Sequence, residues 1–196
     1  MAVLVKVGGL RMAGGTRDRM IDATVDALRR NGVAGMSFTD VLRQSGAARG
    51  AIYHHFPGGK AQLIAEAAER FGAEVRGHLA ALPGGDPEAV VEAFVELVRP
   101  VVAASATGSG CTVAAVSVGS GDDDALRQAA GTAFGSWTDG LAARLVMAGA
   151  EPEEASGLAA LLIAVLEGAQ VLCRAAGDTE PFERAARTLR AVVRSR

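Results

Sequence analysis

Phe38, Val41 and Leu42 stand at i, i+3 and i+4 with Thr39, Asp40, Arg43 and Gln44 between and after them, the spacing of a short helix with one apolar face. Ser37 is placed to cap it: its hydroxyl is expected to accept from the Asp40 amide while the Asp40 carboxylate reaches back. Gly46 ends it, because glycine enters the left-handed conformation at a helix end without steric cost. The apolar pattern restarts at Ile52 and Phe56, with Arg49, Gly50, Tyr53 and His54 on the other side, and stops at Pro57 and the two glycines after it. Further periodic stretches follow. A long helix is expected from about Lys60 to Leu82, ending at Pro-Gly-Gly-Asp, and another begins at Asp86 and Pro87 with Val90, Phe94, Leu97, Val98 and Val101 facing inward. Glycines and serines interrupt around 105–110. Residues 111–118, Cys-Thr-Val-Ala-Ala-Val-Ser-Val, suit a buried strand as well as a helix. The next helix runs to about Ala148 with Phe134, Trp137, Leu141, Leu145 and Met147, and the last two span about Pro152 to Ala175 and Pro181 to Arg194.

Two short helices joined by a glycine turn, the second carrying basic and aromatic side chains, form the arrangement that presents a helix to DNA. The first helix packs across the second, which then enters a major groove about 12 Å wide. Gly50 and Ala51 allow close approach to the groove. Arg49 suits guanine or a phosphate, Tyr53 a phosphate or a thymine methyl, and His55 and Lys60 the sugar-phosphate backbone. Charge agrees: residues 1–60 hold nine Lys or Arg against four Asp, whereas residues 61–196 hold eleven Arg against eighteen acids. A basic head on an acidic body suits a protein that puts one end on phosphate. Apolar residues make up 49% of the chain and only 4% is aromatic, so Ala, Leu and Val carry the core, which favours helices over sheets.

From Thr16 to Phe71 the chain resembles the amino-terminal domain of the TetR family of bacterial transcriptional regulators. The Gly-Ala-Ile-Tyr-His-His-Phe stretch followed by Pro-x-Gly-Lys and a new apolar helix carries the likeness. The resemblance implies an all-α fold of about nine helices. A three-helix helix-turn-helix domain would fill residues 16–60, behind a flexible extension at 1–15. Residues 61–196 would form a helical effector-binding and dimerisation domain. It also implies repression of a palindromic operator in double-stranded DNA, relieved by a small molecule. On matching positions the DNA-contacting set is Ser37, Thr39, Arg49, Gly50, Ala51, Tyr53, His54, His55 and Lys60. The chain departs from the family at Ala48, where Ser or Thr usually caps the recognition helix. A further exchange places Leu42 and Ala47 where Ala and Val are usual. Gly-Cys followed by Val-Ala-Ala-Val is similar to the LmrA/YxaF-like branch, in which residues 111–118 form a short helix. Met12 stands where many family members begin, so residues 1–11 are expected to precede the native start. The alternative is an arm carrying Lys6 and Arg11 toward a minor groove.

The helix from Pro152 carries Leu158, Leu161, Leu162, Val165, Leu166, Ala169, Val171 and Leu172, apolar around more of its circumference than a surface helix tolerates. The final helix sets Phe182, Ala185, Ala186, Leu189, Val192 and Val193 against arginines. In the TetR family such helices pair with their copies in a four-helix bundle. The interface set is therefore Leu158, Leu161, Leu162, Val165, Leu166, Ala169, Leu172, Phe182, Leu189 and Val192; the alternative is that they complete a monomer core. Phe94, Leu97, Val101, Cys111, Phe134, Trp137, Leu141 and Gln170 are the candidate effector pocket, suited to an apolar or aromatic small molecule, although a lone Trp is also an ordinary core residue.

Other chemistries find little purchase. Cys111 and Cys173 stand without Cys-x-x-Cys or a histidine at ligand spacing, so neither zinc nor a disulfide framework is indicated and a reducing cytoplasm is the simplest context. Asp122 to Asp124 lacks the alternate spacing of a calcium loop and reads as a helix amino terminus. The apolar run Leu158 to Cys173, interrupted by Glu167 and Gln170, falls short of the ~20 residues needed to cross a bilayer. No phosphate loop, Ser-His-acid set or His-Glu-x-x-His motif occurs, so no cofactor or enzymatic activity is expected. The alternative is a helical small-molecule-binding enzyme or an interaction module without DNA.

Overall fold

The computed structural model describes residues 14–194; the expectations for the extension, including Lys6, Arg11 and Met12, fall outside that range. The described residues form helices and no strands: α1 (Thr16–Gly35), α2 (Phe38–Ser45), α3 (Ala51–His55), α4 (Gly59–Ala80), α5 (Pro87–Ala106), α6 (Thr112–Gly119), α7 (Asp124–Met147), α8 (Pro152–Ala176) and α9 (Glu180–Arg194). They divide into two compact units, a head of residues 14–73 and 110–134 and a body of residues 74–109 and 135–194. Helices α4 and α7 contribute to both, and residues 110–134 pack with the amino-terminal helices.

In the head, α1 packs against α2 and α6. Met20, Leu28, Val41, Ile52, Phe56, Leu63 and Ile64 are buried there. The regular part of α1 breaks at Gly32, whose φ of 66° suits glycine alone. Residues 112–119 are helical. Cys111 caps them, its Sγ accepting from the Ala114 amide at 3.4 Å, and Thr112, Val113 and Val116 are buried. Gly110 donates to the Arg29 carbonyl at 2.8 Å and accepts from Arg29 Nε at 3.3 Å, which ties the start of α6 to α1. Gly119 is required by packing, since a Cβ there would lie 2.7 Å from Val33 Cβ. Between α1 and α4, Arg17 pairs with Glu66, and Arg70 with Asp18 at 3.3 Å and Asp22 at 2.9 Å. Asp123 caps α7, accepting from the Ala125 and Leu126 amides at 3.0 and 3.1 Å, the helix-terminus role expected of the acidic triplet.

In the body, α5, α8 and α9 pack on one another. Asp86 caps α5 through the Ala89 amide at 2.8 Å, with Pro87 in the first turn. Val90, Phe94 and Val98 of α5, Leu158, Leu162 and Leu166 of α8, and Phe182 and Leu189 of α9 are core residues, as are Trp137 and Leu141. Arg190 makes a bidentate pair with Glu92 at 2.6 and 2.7 Å, which holds the Glu92 carboxyl below its ordinary pKa. Helix α8 is 25 residues long and meets the length and composition of a membrane span, more than the interrupted run suggested. Its Leu158, Leu162, Leu166 and Cys173 are nonetheless buried in the body, as in a core helix.

Candidate nucleic-acid interface

The helix-turn-helix is assembled from local rules. Ser37 caps α2, accepting from the Thr39 amide at 3.2 Å rather than from Asp40, whose carboxylate turns instead to Arg43 at 2.7 Å. The reciprocal capping box read from the sequence is therefore not formed. An ion pair one turn along the helix competes for the same carboxylate. Gly46, at φ 67°, ends α2, and its N–H and that of Ala47 both donate to the Leu42 carbonyl. Helix α3 follows as little more than one turn. No side chain caps it, in keeping with Ala48, and the Ala51 amide donates to the Ala48 carbonyl at 2.9 Å. Such a helix is held by its neighbours more than by its own hydrogen bonds.

Those neighbours are clear. Ile52 and Phe56 are 1% and 0% exposed, so the inner face of α3 is anchored in the head core. Arg17 lies over the Phe56 ring, 5.1 Å from its centroid. Phe38, at the start of α2, meets Tyr53 edge-on with ring centroids 6.5 Å apart, and so orients a tyrosine that is itself 68% exposed. The outer face carries Arg49, Gly50, Tyr53 and His54, all exposed, with Thr39 on α2. Ser37, Ala51 and His55 are half-buried beside them, the His54 and His55 rings 4.9 Å apart. Arg49 is exposed and makes no hydrogen bond or ion pair among the described residues.

Gly50 stands apart from glycines the fold requires. Its φ is −73°, open to any residue, and a Cβ built there meets nothing within 4 Å. The head does not need a glycine at that position. Lys60 is half-buried, and its Nζ donates to the Val33 carbonyl at 3.2 Å near the end of α1. The sequence reading also missed Arg17 and Arg19, which contact the Phe56 ring and the Ser45 carbonyl, and the contact of Phe38 with Tyr53. The Ser45 carbonyl held by Arg19 and the Glu66 carboxylate paired with Arg17 lie 26 and 49 residues away, beyond any local pattern.

The remaining candidate residues separate by unit. Phe94, Leu97, Val101, Trp137, Leu141 and Gln170 belong to the body, Cys111 and Phe134 to the head. Gln170 is buried with its amide occupied, its Oε1 accepting from Ser105 Oγ at 3.2 Å and its Nε2 donating to Glu167 at 3.3 Å. Cys111 is occupied as the cap of α6. An open cleft of about 560 Å³ in the head is lined by Arg17, Asp18, Ile21, Glu66, Glu69 and Arg70, polar walls unlike those expected for the effector. Of the residues expected at an interface, Leu158, Leu162, Leu166, Ala169, Phe182 and Leu189 are buried within this chain. Leu161 and Leu172 are exposed, and Val165 and Val192 half-buried.

Comparison with known proteins meets this geometry at both ends. Residues 20–67 match the bacterial regulatory proteins of the tetR family. Residues 87–188 match the C-terminal domain of LmrA/YxaF-like transcriptional regulators. The chain belongs to the TetR family. It is 36% identical over 182 residues to an HTH-type transcriptional regulator of Mycobacterium tuberculosis, covering 90% of this chain and 93% of that one. The HTH-type transcriptional regulator LmrA of Bacillus subtilis is 25% identical over 86% of this chain and 92% of its own. The fold is shared with a TetR-family transcriptional regulator from Cytophaga hutchinsonii at a TM-score of 0.77 and 23% identity, covering 95% and 96% of the two chains. A TetR transcriptional regulator from Chloroflexus aurantiacus aligns at 0.71 and 28%, covering 94% and 96%. This TetR-family chain is thus a DNA-binding transcriptional regulator and not an enzyme, with α2 and α3 as its helix-turn-helix.

Proposed function

We propose that this TetR-family regulator is a cytoplasmic homodimeric repressor that reads a palindromic operator with two copies of α3 and leaves it when an apolar or aromatic small molecule enters the body. Residues 16–60 form the reading domain, and the remainder senses and dimerises. The observation that carries this reading is the outer face of α3, where Arg49, without an ion pair among the described residues, and an exposed Tyr53 flank a glycine that the fold does not need. Arg49 then reads guanine or a phosphate, Tyr53 and His54 lie along the groove, and Ser37, Thr39, Ala51 and His55 border the backbone. Lys60, one of whose donors is held by the Val33 carbonyl, lies toward the sugar-phosphate backbone.

Dimerisation is supported by the outward side of α8. Leu161, Val171 and Leu172 are 44%, 69% and 58% exposed. Gly157, Ala160, Ala164, Gly168 and Ala175 lie on the same stripe, all exposed, and a Cβ at Gly157 or Gly168 would meet nothing within its own protomer. Small residues along a helix let a second helix approach closely. Two α3 helices held at a fixed separation match two half-sites, and an effector that favours another separation by ~1–3 kcal/mol weakens binding by ~5- to 150-fold. The test is binding of the dimer to duplexes from the region upstream of its own coding sequence. Affinity should fall steeply as salt rises, and the absence of a salt-sensitive complex would overturn the reading.

A further inference from the structure

We propose that Arg19 is a positioning residue for operator reading, holding the turn that leads into α3 without touching DNA. The inference rests on the DNA-binding function of α3 and adds to it a residue outside the helix-turn-helix.

Helix α3 has five residues and no side-chain cap, so its orientation depends on what fixes the turn before it. Gly46 closes the end of α2 from within. Arg19, in the first turns of α1, grips the same end from outside: its Nε donates to the Ser45 carbonyl at 3.0 Å. Ser45 is the last residue of α2, and its carbonyl is among those a helix end leaves unsatisfied. The other two nitrogens of the guanidinium run back to the start of α1, Nη1 to the Gly14 carbonyl at 3.1 Å and Nη2 to Thr16 Oγ1 at 3.2 Å. One rigid planar group therefore registers the turn of the helix-turn-helix against the beginning of α1. All three acceptors are uncharged oxygens, so the cation also sits favourably against the carboxyl end of the α2 dipole. Lysine cannot replace it. A tetrahedral ammonium on a flexible stem keeps the charge but not the three-point fork.

The role separates geometry from charge, and Arg19→Lys is the experiment. Full-length wild type and variant are titrated by fluorescence anisotropy against an upstream duplex bound by the wild type and a shuffled duplex of equal length, across a range of salt. Arg19→Lys should weaken the specific complex about tenfold, the order expected for a lost charge-assisted hydrogen bond. The shuffled complex and the slope of log affinity against log salt should not change. Amide exchange at Gly46 to Ala51 should accelerate while that of α4 holds. Arg19→Met, which retains the aliphatic stem, should show at least the same loss of discrimination and the same local exchange. Wild-type affinity in Arg19→Lys would overturn the proposal by showing that charge suffices. A slope reduced by about one, with specific and shuffled duplexes weakened alike, would overturn it in favour of direct phosphate contact. If the wild type binds no duplex, DNA reading itself fails. The exchange measurement then still decides whether Arg19 holds the turn: unaltered exchange at Gly46 to Ala51 would refute it.

Discussion

Asp26 shows how a single side chain in the head carries a readable cost. Burial pushes its carboxyl above the ordinary value of 3.8, against the pull of Arg30 and Arg29 and a hydrogen bond from Gln44 at 3.1 Å. A carboxyl whose folded pKa is raised favours the folded state most when protonated. Its contribution is full below the unfolded pKa and is lost as pH rises through the folded one. Asp26→Asn, which still accepts from Gln44, is therefore expected to raise the melting temperature at pH 7, with the advantage vanishing below about pH 4. Thermal unfolding of both proteins from pH 3 to 8 checks this. An advantage that grew on acidification would show the ion pairs to outweigh burial. Sequence spacing exposed the inner face of α3 and the left-handed Gly46, because both are local. It missed the partners of Asp40, Lys60 and Arg19: Arg43 competes for Asp40, and the carbonyls held by Lys60 and Arg19 lie 27 and 26 residues away in the chain.

At the scale of elements, α8 is where pattern and structure divide. Apolar residues run around most of its circumference, and periodicity alone does not tell the side covered by α5 and α9 from the side left open. Leu158, Leu162 and Leu166 go to the body core, and Leu161, Val171 and Leu172 remain outside. Residues 111–118 posed a similar choice between strand and helix. It is settled by a capping thiol and by α1 packing on α6, neither of which β-branched composition reveals. Leu161→Glu places a charge in the middle of the open stripe without entering the core. The variant is expected to sediment as a folded monomer and to bind operator at least about 100-fold more weakly, since one α3 contacts a single half-site. A Leu161→Glu dimer of undiminished operator affinity would move the interface elsewhere.

At the scale of the molecule, the described head holds nine Lys or Arg against nine acids and the body eight Arg against thirteen, so the basic excess of residues 1–60 is offset within the head by acids of α4 and of residues 122–124, and the surplus of acid lies in the body. The compact units add a feature the charge profile does not contain. Residues 110–134 pack with the reading helices, joined to α1 through Arg29 and Gly110. An effector bound among Phe94, Leu97, Val101, Trp137 and Leu141 in the body is expected to raise the melting temperature and to weaken operator binding in the same assay. A screen of hydrophobic compounds reads both effects. Compounds that stabilise the protein but leave the DNA complex intact would refute the switch. The most direct test of DNA reading by α3 is anisotropy titration of the upstream duplex with wild type and Gly50→Ala. The melting temperature of the variant should match or exceed that of the wild type, because the added methyl meets nothing in the fold. Its operator affinity should fall at least about tenfold, because the methyl occupies the space into which the DNA backbone must come. Equal affinity for operator in the two proteins would contradict the assignment of α3 as the helix that reads DNA.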